Sequence, residues 1–397
     1  MASTPDSNLR LFHPEHAKAL RAFYGDAAEG YVPILEGLSA LLEKEVLPKS
    51  KDFDLNAGGI AEARRVLFDA GLGRMTLASP GGMSLPFGVY TLAMELVGSA
   101  DAPTAMSMGI HNTVVEAVHR FGTDSLRSEV LPDLLSGKRL AAFALTEPSS
   151  GSDARSMKTR AVRSGSRFTL NGSKMFITNG GEADRYLVFA ATEGGHVALL
   201  VDASTPGLAT GAEIQKLGMR GSRTAEVRFE DCTVPEESLL GEEGKGFDCA
   251  KALLDGSRIV MGSVCVGIAR VAFQKALEYS SERRLFGKRL ADLQISKEKV
   301  ADTRMEINAS RLLCLFASRM KEAGDQEFAS EAAQAKVMAA EAAARACDRA
   351  IQIFGGYGYT EPDVHRHWRD ARLLSIGEGA SEVLRMLIAG RELAEMR

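Results

Sequence analysis

The first third of the chain carries apolar residues at helical spacing. From Tyr31 to Leu47 they recur three and four positions apart, which places them on one face of a helix that Pro48 should end. The same spacing, interrupted by glycine-containing breaks, predicts further helices over Ile60–Ala70, Phe87–Ser99 and Met108–Phe121. The sequence therefore predicts a helical N-terminal region.

Short alternating runs of polar and apolar residues replace this pattern between Arg160 and Val234. The Asn171-Gly172 dipeptide is typical of a tight turn, so the residues from 168 to 178 predict a β-hairpin. Further strands are predicted over Tyr186–Ala191, Val197–Val201 and Thr224–Phe229. Because helices do not alternate with these strands, an antiparallel barrel or sandwich is favoured over a parallel dinucleotide-binding sheet.

The last third returns to helical spacing, now over longer segments. We expect a short helix after Gly379 and three long ones, over Arg258–Arg283, Ile295–Ala323 and Glu327–Phe354. The alanine-rich run at 332–346 is a strong helix former. Three long helices and one short one predict a four-helix bundle.

The three patterns together predict a multi-domain α+β fold. With 397 residues, the chain is long enough for two or three domains with a substantial core. We expect an N-terminal α-helical domain over residues 1–142, a central antiparallel β-barrel or sandwich domain over 143–248 and a C-terminal four-helix bundle over 249–397.

Charge and cysteine content argue against several classes of protein. Lys and Arg number 48 against 52 Asp and Glu, so the basic excess of a nucleic-acid-binding protein is missing. The longest uncharged apolar stretch, Ile259–Ala269, falls short of the ~20 residues that span a bilayer. Five cysteines without a C-x-x-C pair argue against a disulfide framework or a structural zinc site. His365 and His367 lack a third ligand, so we expect a surface loop there and no metal.

The N-terminus bears on the cellular compartment. Residues Met1 to Arg10 lack the apolar core of a secretion signal. Together with the odd number of cysteines, this favours a reducing, intracellular setting.

Two stretches near the predicted β domain could bind a flat or anionic ligand. Residues 144–153 are rich in small hydroxyl side chains and glycine, which offer donors to an anion or a heteroaromatic ring. A plain interdomain loop explains them equally well. Phe176 and Thr178, within 176–181, could cover and hydrogen-bond a flat ligand, although a strand followed by a turn also accounts for this stretch.

Three further stretches lie in the predicted bundle. Residues 282–288 form a run of charges that is usually a solvated helix end but could clamp phosphates. Residues 352–359 hold glycines that suit a helix C-cap and lack the spacing of a Rossmann motif. Glu378 lies between Gly377 and Gly379, where a flexible backbone gives a ligand close access. Alternatively, its carboxylate serves the N-terminus of the last helix.

Taken together and in this order, these stretches resemble those of the acyl-CoA dehydrogenase family. The resemblance covers residues 85–391. Residues 144–153 resemble the family's first motif, 176–181 its flavin-covering segment, 352–370 its second motif and 377–382 its catalytic loop. The family's fold has a helical N-terminal domain, a central β domain and a C-terminal four-helix bundle, as the chain's own pattern predicts. The resemblance also implies FAD as cofactor.

The resemblance assigns two groups of residues to FAD. Phe176 would cover the isoalloxazine ring, Thr178 would hydrogen-bond near its N5 atom, and Ser152 would lie near the pyrophosphate and the CoA. The flavin ring would also be met by Phe143, Leu145 and Thr146. Glu382 is a further expected cofactor contact. The second group would reach the FAD of a neighbouring subunit and comprises Arg283, Phe286, Gln294, Gln352, Gly355 and Gly356.

Glu378 is implied as the catalytic base. Desaturation removes a proton from the α-carbon of an acyl-CoA, while a hydride passes from the β-carbon to flavin N5. A carboxylate in a closed, desolvated pocket has its pKa raised toward the working pH, as a base requires. Some members place the base just before the arginine that corresponds to Arg258, but Ser257 stands there in this chain. The acyl-CoA itself would be bordered by Ser152, Asp255, Arg258 and Gly379.

The implied function is α,β-desaturation of an acyl-CoA thioester to a trans-2-enoyl-CoA, with electrons passing to an electron-transfer flavoprotein. A homotetramer in the bacterial cytoplasm, or in the mitochondrial matrix of a eukaryote, is expected. The alternatives are a same-fold flavoenzyme acting on carrier-protein thioesters, a C–S lyase, a flavin monooxygenase and a catalytically silent assembly protein. The retained Glu378 disfavours the lyase and the monooxygenase, and the intact flavin stretches disfavour the silent protein.

Local departures from the family pattern bear on the substrate. Ala380 stands where the family commonly has threonine, and Gly377 replaces a bulky aromatic residue, which would widen the space beside the base. We expect the helix that contains Met106, Ser107 and Ile110 to line the floor of the acyl pocket. Because these three side chains carry no charge, a dicarboxylyl-CoA is not favoured.

Overall fold

Helices form the N-terminal third, as the sequence predicts. The structure is a computed structural model that describes residues 9–55, 59–78, 81–325 and 327–394, so most of the N-terminal stretch examined for a secretion signal lies outside it. The four predicted helices are confirmed, and three more accompany them. In chain order they are α1 (Pro14–Tyr24), α2 (Ala28–Glu45), α3 (Ser50–Leu55), α4 (Ala61–Asp69), α5 (Phe87–Ala100), α6 (Ala102–Phe121) and α7 (Asp124–Leu135).

A curled seven-stranded sheet follows. Its strands are β1 (Ala141–Ala144), β2 (Arg160–Ser164), β3 (Arg167–Thr178), β4 (Arg185–Thr192), β5 (Gly195–Asp202), β6 (Leu208–Thr210) and β7 (Thr224–Pro235). They are ordered β1-β4-β2-β3-β7-β6, with β5 paired to β4. Most pairs are antiparallel, but β1 runs parallel to β4. β2 also runs parallel to β4, at the pair of Arg160 and Ala191. The sheet is therefore mixed and not wholly antiparallel as predicted.

The Asn171-Gly172 dipeptide does not form the predicted turn. β3 runs unbroken through it, and the hairpin joins β2 to β3 around Gly165. Gly172 instead lies at a shift in register between β3 and β7, with a φ of 143°. A β-carbon there would come within 2.6 Å of the Thr159 hydroxyl oxygen. The dipeptide marks a β-bulge, because glycine permits a bulge as readily as a turn.

The C-terminal third forms the predicted bundle. Its helices are α8 (Gly246–Glu282), α9 (Gln294–Glu322), α10 (Phe328–Phe354), α11 (Gly356–Thr360), α12 (Pro362–Leu374) and α13 (Ser381–Ala394), and a small hairpin of β8 (Arg284–Leu285) and β9 (Lys288–Arg289) joins α8 to α9. The three long helices and the short last one are confirmed. The first of them begins at Gly246, well before the predicted Arg258.

Helix α12 corrects the expectation of a surface loop at His365 and His367. Both residues lie within this helix, and His367 is buried. The sequence analysis missed this helix because its buried face itself carries Arg366, His367 and Asp370, so apolar spacing does not mark it. In the part of the chain that the structure describes, no group of three or more potential ligands could hold a metal ion.

Helix α8 joins the bundle to the N-terminal helices. It packs against α5 and α6 as well as α9 and α10. A β-carbon at Gly267 would lie 2.3 Å from the Glu95 carbonyl oxygen, so glycine is what allows α5 and α8 to approach closely. By length and composition alone α8 could cross a membrane, but most of its apolar window is buried inside the protein. A core position explains that composition.

Candidate active site

Glu378 lies in the turn between α12 and α13. Its φ of 57° is in the left-handed region, which costs a non-glycine residue on the order of 1–3 kcal/mol. Gly379 follows with a φ of 99°, and the turn is closed by a hydrogen bond from the Ser381 amide to the Ser375 carbonyl (3.1 Å). Backbone strain that the surrounding structure holds in place is typical of functional sites.

The Glu378 carboxyl group faces α8 and α10. Burial raises its pKa, and the Ser257 hydroxyl and the charges of Arg258 and Lys336 oppose that rise. One carboxylate oxygen, Oε2, is shielded from solvent and has no hydrogen-bond partner among the described residues. A shielded carboxylate with a raised pKa and a free oxygen has the properties of a general base.

The alternative role of Glu378, serving the N-terminus of α13, is not what the structure shows. The first turn of α13 is bonded through backbone groups, with the Leu384 amide donating to the Ala380 carbonyl at 3.0 Å. The turn before it is tied to α10, because Lys336 Nζ donates to the Gly379 carbonyl at 2.6 Å. The carboxylate is therefore free for another role.

A narrow cavity of about 20 Å³ lies between α5, α6 and α8. Gly256 and Ser257 line it from α8, and Ser257 is also the residue whose hydroxyl faces Glu378. Phe87, Val115 and Val260 supply apolar wall. Ser257 thus lies between the Glu378 carboxyl group and a small cavity whose walls are partly apolar.

The residues of α6 that line this cavity differ from those predicted. Four of them, at helical spacing, are Gly109, Asn112, Thr113 and Glu116, and Val115 is the fifth. Ser107 and Ile110 are not among them, and the Ser107 hydroxyl donates to Asn179 Oδ1 (2.6 Å). Met106 is buried in the core, one turn before the cavity. The helix named in the prediction does line this cavity, whereas the three side chains used to identify it do not.

The far wall of the cavity is polar. The Asn112 side-chain amide donates to the Tyr90 hydroxyl (2.7 Å) and to the Leu72 carbonyl (3.2 Å). Next to Gly256, Glu116 accepts from Lys321 Nζ on α9 at 2.8 Å and adds a second polar group to the cavity wall. A long alkyl chain pushed against these groups would desolvate them, and this has a free-energy cost.

The loop after β1 is fastened to β3. The Met175 amide donates to the Thr146 carbonyl at 2.8 Å, which places Thr146 beside Phe176. Below them, Lys174 Nζ bonds both the Glu147 carboxylate (2.8 Å) and the Leu145 carbonyl (3.0 Å). Leu145 is buried in this arrangement, so its contact with a ligand would be made through its main chain.

Phe176 is presented to solvent in an unusual way. Its φ is 59°, its register with β7 is irregular, and 62% of it is exposed. Thr146 and Thr178 beside it are half-buried, and Phe143 packs on Phe189 with ring centroids 5.0 Å apart. An exposed aromatic ring next to two hydroxyl groups fits a flat, hydrogen-bonding ring such as a flavin.

Asp255 and Arg258, one turn apart on α8, form an ion pair. Burial raises the pKa of Asp255, and Nε of Arg258 is buried without a hydrogen-bond partner among the described residues. The pair flanks Ser257 and so lies next to the candidate base. That both residues border the acyl-CoA stays a prediction.

A second, larger cavity of about 590 Å³ opens at the ends of α8 and α10. The structure brings Arg283 together there with Gln352, Gly355 and Gly356, which the sequence analysis grouped with it. It is separate from the surface around Phe176. Phe286 lies outside this cavity and is 87% exposed, and Ser152, Gln294 and Glu382 are also exposed.

Two buried lysines at the site were missed by the sequence analysis. Lys174 and Lys336 are fully buried, although lysine is almost never fully buried unless it is paired. For Lys174 a signal was present, because it lies in a strand at an inward-facing position. For Lys336 the only signal is that it interrupts the alanine-rich face of α10.

Known proteins resemble this chain over nearly its whole length. Sequence models of the acyl-CoA dehydrogenase N-terminal, middle and C-terminal domains match residues 33–138, 142–232 and 244–393. The human protein named short-chain specific acyl-CoA dehydrogenase, mitochondrial, is 38% identical over 98% of this chain and 96% of its own length.

Solved structures of acyl-CoA dehydrogenases also resemble the fold of this chain. Butyryl-CoA dehydrogenase from Megasphaera elsdenii superposes with a TM-score of 0.89 and 38% identity, covering 91% of this chain and 98% of that one. A glutaryl-CoA dehydrogenase from Mycobacterium smegmatis in complex with FADH2 gives a TM-score of 0.88 and 26% identity, covering 94% and 97%. The three domains and their order are thus those of one family, and the chain belongs to the FAD-dependent acyl-CoA dehydrogenases.

Proposed function

We propose that this acyl-CoA dehydrogenase acts on a short acyl-CoA and that Glu378 removes the α-proton. The observation that carries the proposal is the shielded Glu378 carboxylate beside the cavity that begins at Ser257. Its raised pKa makes it a stronger base than an exposed glutamate. The Arg258 and Lys336 charges oppose this rise and so favour the ionised form that can accept a proton.

The flavin ring fits the surface around Phe176. Bound FAD supplies the oxidant, since it accepts the hydride that leaves the β-carbon. Phe176 would cover the ring, while Thr146 and Thr178 would donate or accept hydrogen bonds at its edge. Phe143 and the main chain of Leu145 complete this surface, and the exposed Ser152 and Glu382 would reach other parts of the cofactor.

A neighbouring subunit would complete the cofactor site. Arg283 and Gln352 line a cavity separate from the Phe176 surface, so within one chain they are not positioned around the same ring. The exposed Phe286 and Gln294, with Gly355 and Gly356, would contact the FAD of another subunit. Such an exchange requires an oligomer, for which we propose a homotetramer.

The cavity favours a short acyl group. It is narrow, and polar side chains, those of Asn112 and of Glu116 in its pair with Lys321, line it as well as apolar ones. The names of the human and Megasphaera relatives, which specify short-chain or butyryl substrates, support the same size. Asp255, Arg258, Ser152 and Gly379 would border the thioester and the CoA. The carboxylate of Glu116 in the cavity wall would repel a second carboxylate on the acyl group, which disfavours a dicarboxylyl-CoA.

The domain bounds, the electron acceptor and the cellular compartment are proposed from membership of the family. We propose domains over residues 1–142, 143–248 and 249–397, although β1 begins at Ala141 and α8 at Gly246. The electron acceptor would be an electron-transfer flavoprotein. The enzyme would work in the cytoplasm of a bacterium, or in the mitochondrial matrix of a eukaryote.

The test of substrate class is anaerobic bleaching of the flavin. The purified, FAD-loaded protein is mixed with butyryl-CoA, octanoyl-CoA, glutaryl-CoA or a butyryl thioester of acyl carrier protein. We expect fast bleaching with butyryl-CoA, slower bleaching with octanoyl-CoA and little with the other two. Preference for octanoyl-CoA would contradict the short pocket, and preference for the carrier-protein thioester would contradict CoA as the carrier.

A further inference from the structure

Lys336 is placed to act on the turn that carries Glu378. It lies on α10, its side chain is fully buried, and its ammonium group donates to the Gly379 carbonyl at 2.6 Å. A buried ammonium group without hydrogen bonds would be strongly unfavourable, so this contact is more than incidental. The contact ties the residue next to Glu378 to a rigid helix.

The surroundings of Lys336 leave its charge available to Glu378. Arg258 and Cys265 face it from α8, and Glu378 and Glu382 face it from the turn and from α13. Arg258 is already paired with Asp255. Among the described residues, Lys336 itself forms no ion pair within 4 Å. Its positive charge is therefore not neutralised by a direct partner.

We propose that Lys336 is a positioning residue for proton abstraction, one that holds the Glu378 turn through the Gly379 carbonyl and favours the ionised form of the Glu378 carboxylate by its charge. The proposal rests on Glu378 being the base. The two effects are separable, because the hydrogen bond fixes geometry and the charge fixes protonation. A lysine that merely filled space in the core would do neither.

Two variants separate the effects. Lys336→Met removes both the donor and the charge but keeps the length and the apolar stem. Lys336→Gln removes the charge and keeps a donor that can reach toward the Gly379 carbonyl. Lys18→Met, at an exposed position on α1, is the matched control for the loss of one lysine charge.

The measurement is the rate of flavin reduction by butyryl-CoA as a function of pH, in stopped flow with the FAD-loaded protein. A nearby cation lowers the pKa of a carboxylate, so its removal raises that pKa and the reaction requires a higher pH. We expect the midpoint to move upward by about one unit in both Lys336 variants. The plateau rate at high pH should fall about tenfold in Lys336→Met and less in Lys336→Gln. The Lys18→Met profile should match the wild type.

The outcomes are distinguishable from those that test the base itself. If Glu378→Gln still reduces the flavin, the base assignment fails and the role of Lys336 fails with it. If Glu378→Gln is inactive but both Lys336 variants keep the wild-type midpoint, only the proposal for Lys336 is overturned. If both Lys336 variants lose FAD, Lys336 supports the fold or the cofactor site in general, and its specific role in proton abstraction is contradicted.

Discussion

Lys174 Nζ and Glu147 Oε1 lie 2.8 Å apart beneath the loop that follows β1, with both side chains buried. The glutamate also accepts hydrogen bonds from the amides of Lys158 and Thr159, at 2.6 and 2.9 Å. The pair thus joins β3 to both ends of the loop that carries the first flavin motif. It fixes the shape of the loop before any ligand binds.

Breaking this pair should destabilise the protein strongly. Lys174→Met leaves the Glu147 carboxylate buried without its counter-charge, a change that typically costs about 3–5 kcal/mol. Chemical denaturation of the apoprotein measures the loss. The matched control is Lys138→Met, whose exposed pair with Asp133 should be worth no more than about 1 kcal/mol. Equal losses in the two variants would contradict the structural role of the buried pair.

Stability should fall in mild acid because of His111. Burial lowers the pKa of His111 to about 4, and its ring bonds the Ala141 amide (3.1 Å) and the Leu134 carbonyl (3.0 Å). In the unfolded chain a histidine has a pKa of about 6.5, so the unfolded state takes up the proton first. The contribution is complete above about pH 6.5 and is lost progressively as the pH falls to about 4.

The size of this effect can be measured. At about 1.4 kcal/mol per pKa unit, the loss is on the order of 3 kcal/mol. The free energy of unfolding is followed from pH 7 to pH 4 for the wild type and for His111→Gln, whose amide cannot titrate. The variant should be less stable at pH 7 and show a flatter dependence. Identical slopes would show that His111 does not titrate in this range.

Phe176→Ala should weaken FAD binding without weakening the fold. The ring is mostly exposed, so its removal should change the stability of the apoprotein by less than about 0.5 kcal/mol. A stacked aromatic contact is worth about 0.5–1.5 kcal/mol, which corresponds to a Kd for FAD about 3- to 10-fold higher. Val162→Ala, an equally exposed apolar residue on β2, is the control. Unchanged FAD affinity would remove Phe176 from the flavin site.

Asn112→Ala should shift substrate preference toward longer chains. The change truncates a side chain in the cavity wall, which enlarges the cavity and removes a polar group from its wall. Two added methylenes can then be buried, so the ratio of kcat/KM for hexanoyl-CoA to that for butyryl-CoA should rise about 5- to 10-fold. Butyryl-CoA serves as the internal reference. A constant ratio would place the end of the acyl group elsewhere.

The elements of the fold could be predicted where local spacing decides the structure. α2 and α5 follow from apolar residues three and four positions apart, and β4 and β5 from short alternating runs. Asn171-Gly172 was misread because glycine allows a bulge as well as a turn, and only the partner strand β7 decides between them. The parallel pairing of β1 and β4 is likewise a long-range property.

The site shows the same division between local and long-range information. Glu378 could be found because two glycines flank it in a recognisable motif. Lys336 could not be found, because its role depends on the Gly379 carbonyl, 43 residues away. Asn112 could not be found either, because it lines the cavity only through the packing of α5 and α8 against α6. Residues whose role depends on distant partners need the structure.

The most direct measurement is stopped-flow reduction of the bound flavin by butyryl-CoA in Glu378→Gln. Glutamine keeps the shape of the side chain but cannot accept the α-proton, while the flavin surface around Phe176 is untouched. General-base catalysis is typically worth about 10²–10⁴-fold, and we expect a loss at or beyond the upper end because a C–H acid has no easy substitute base. Glu392→Gln, an exposed glutamate on α13, should reduce its flavin at the wild-type rate. Reduction of Glu378→Gln within a few-fold of the wild-type rate would contradict the assignment of Glu378 as the base.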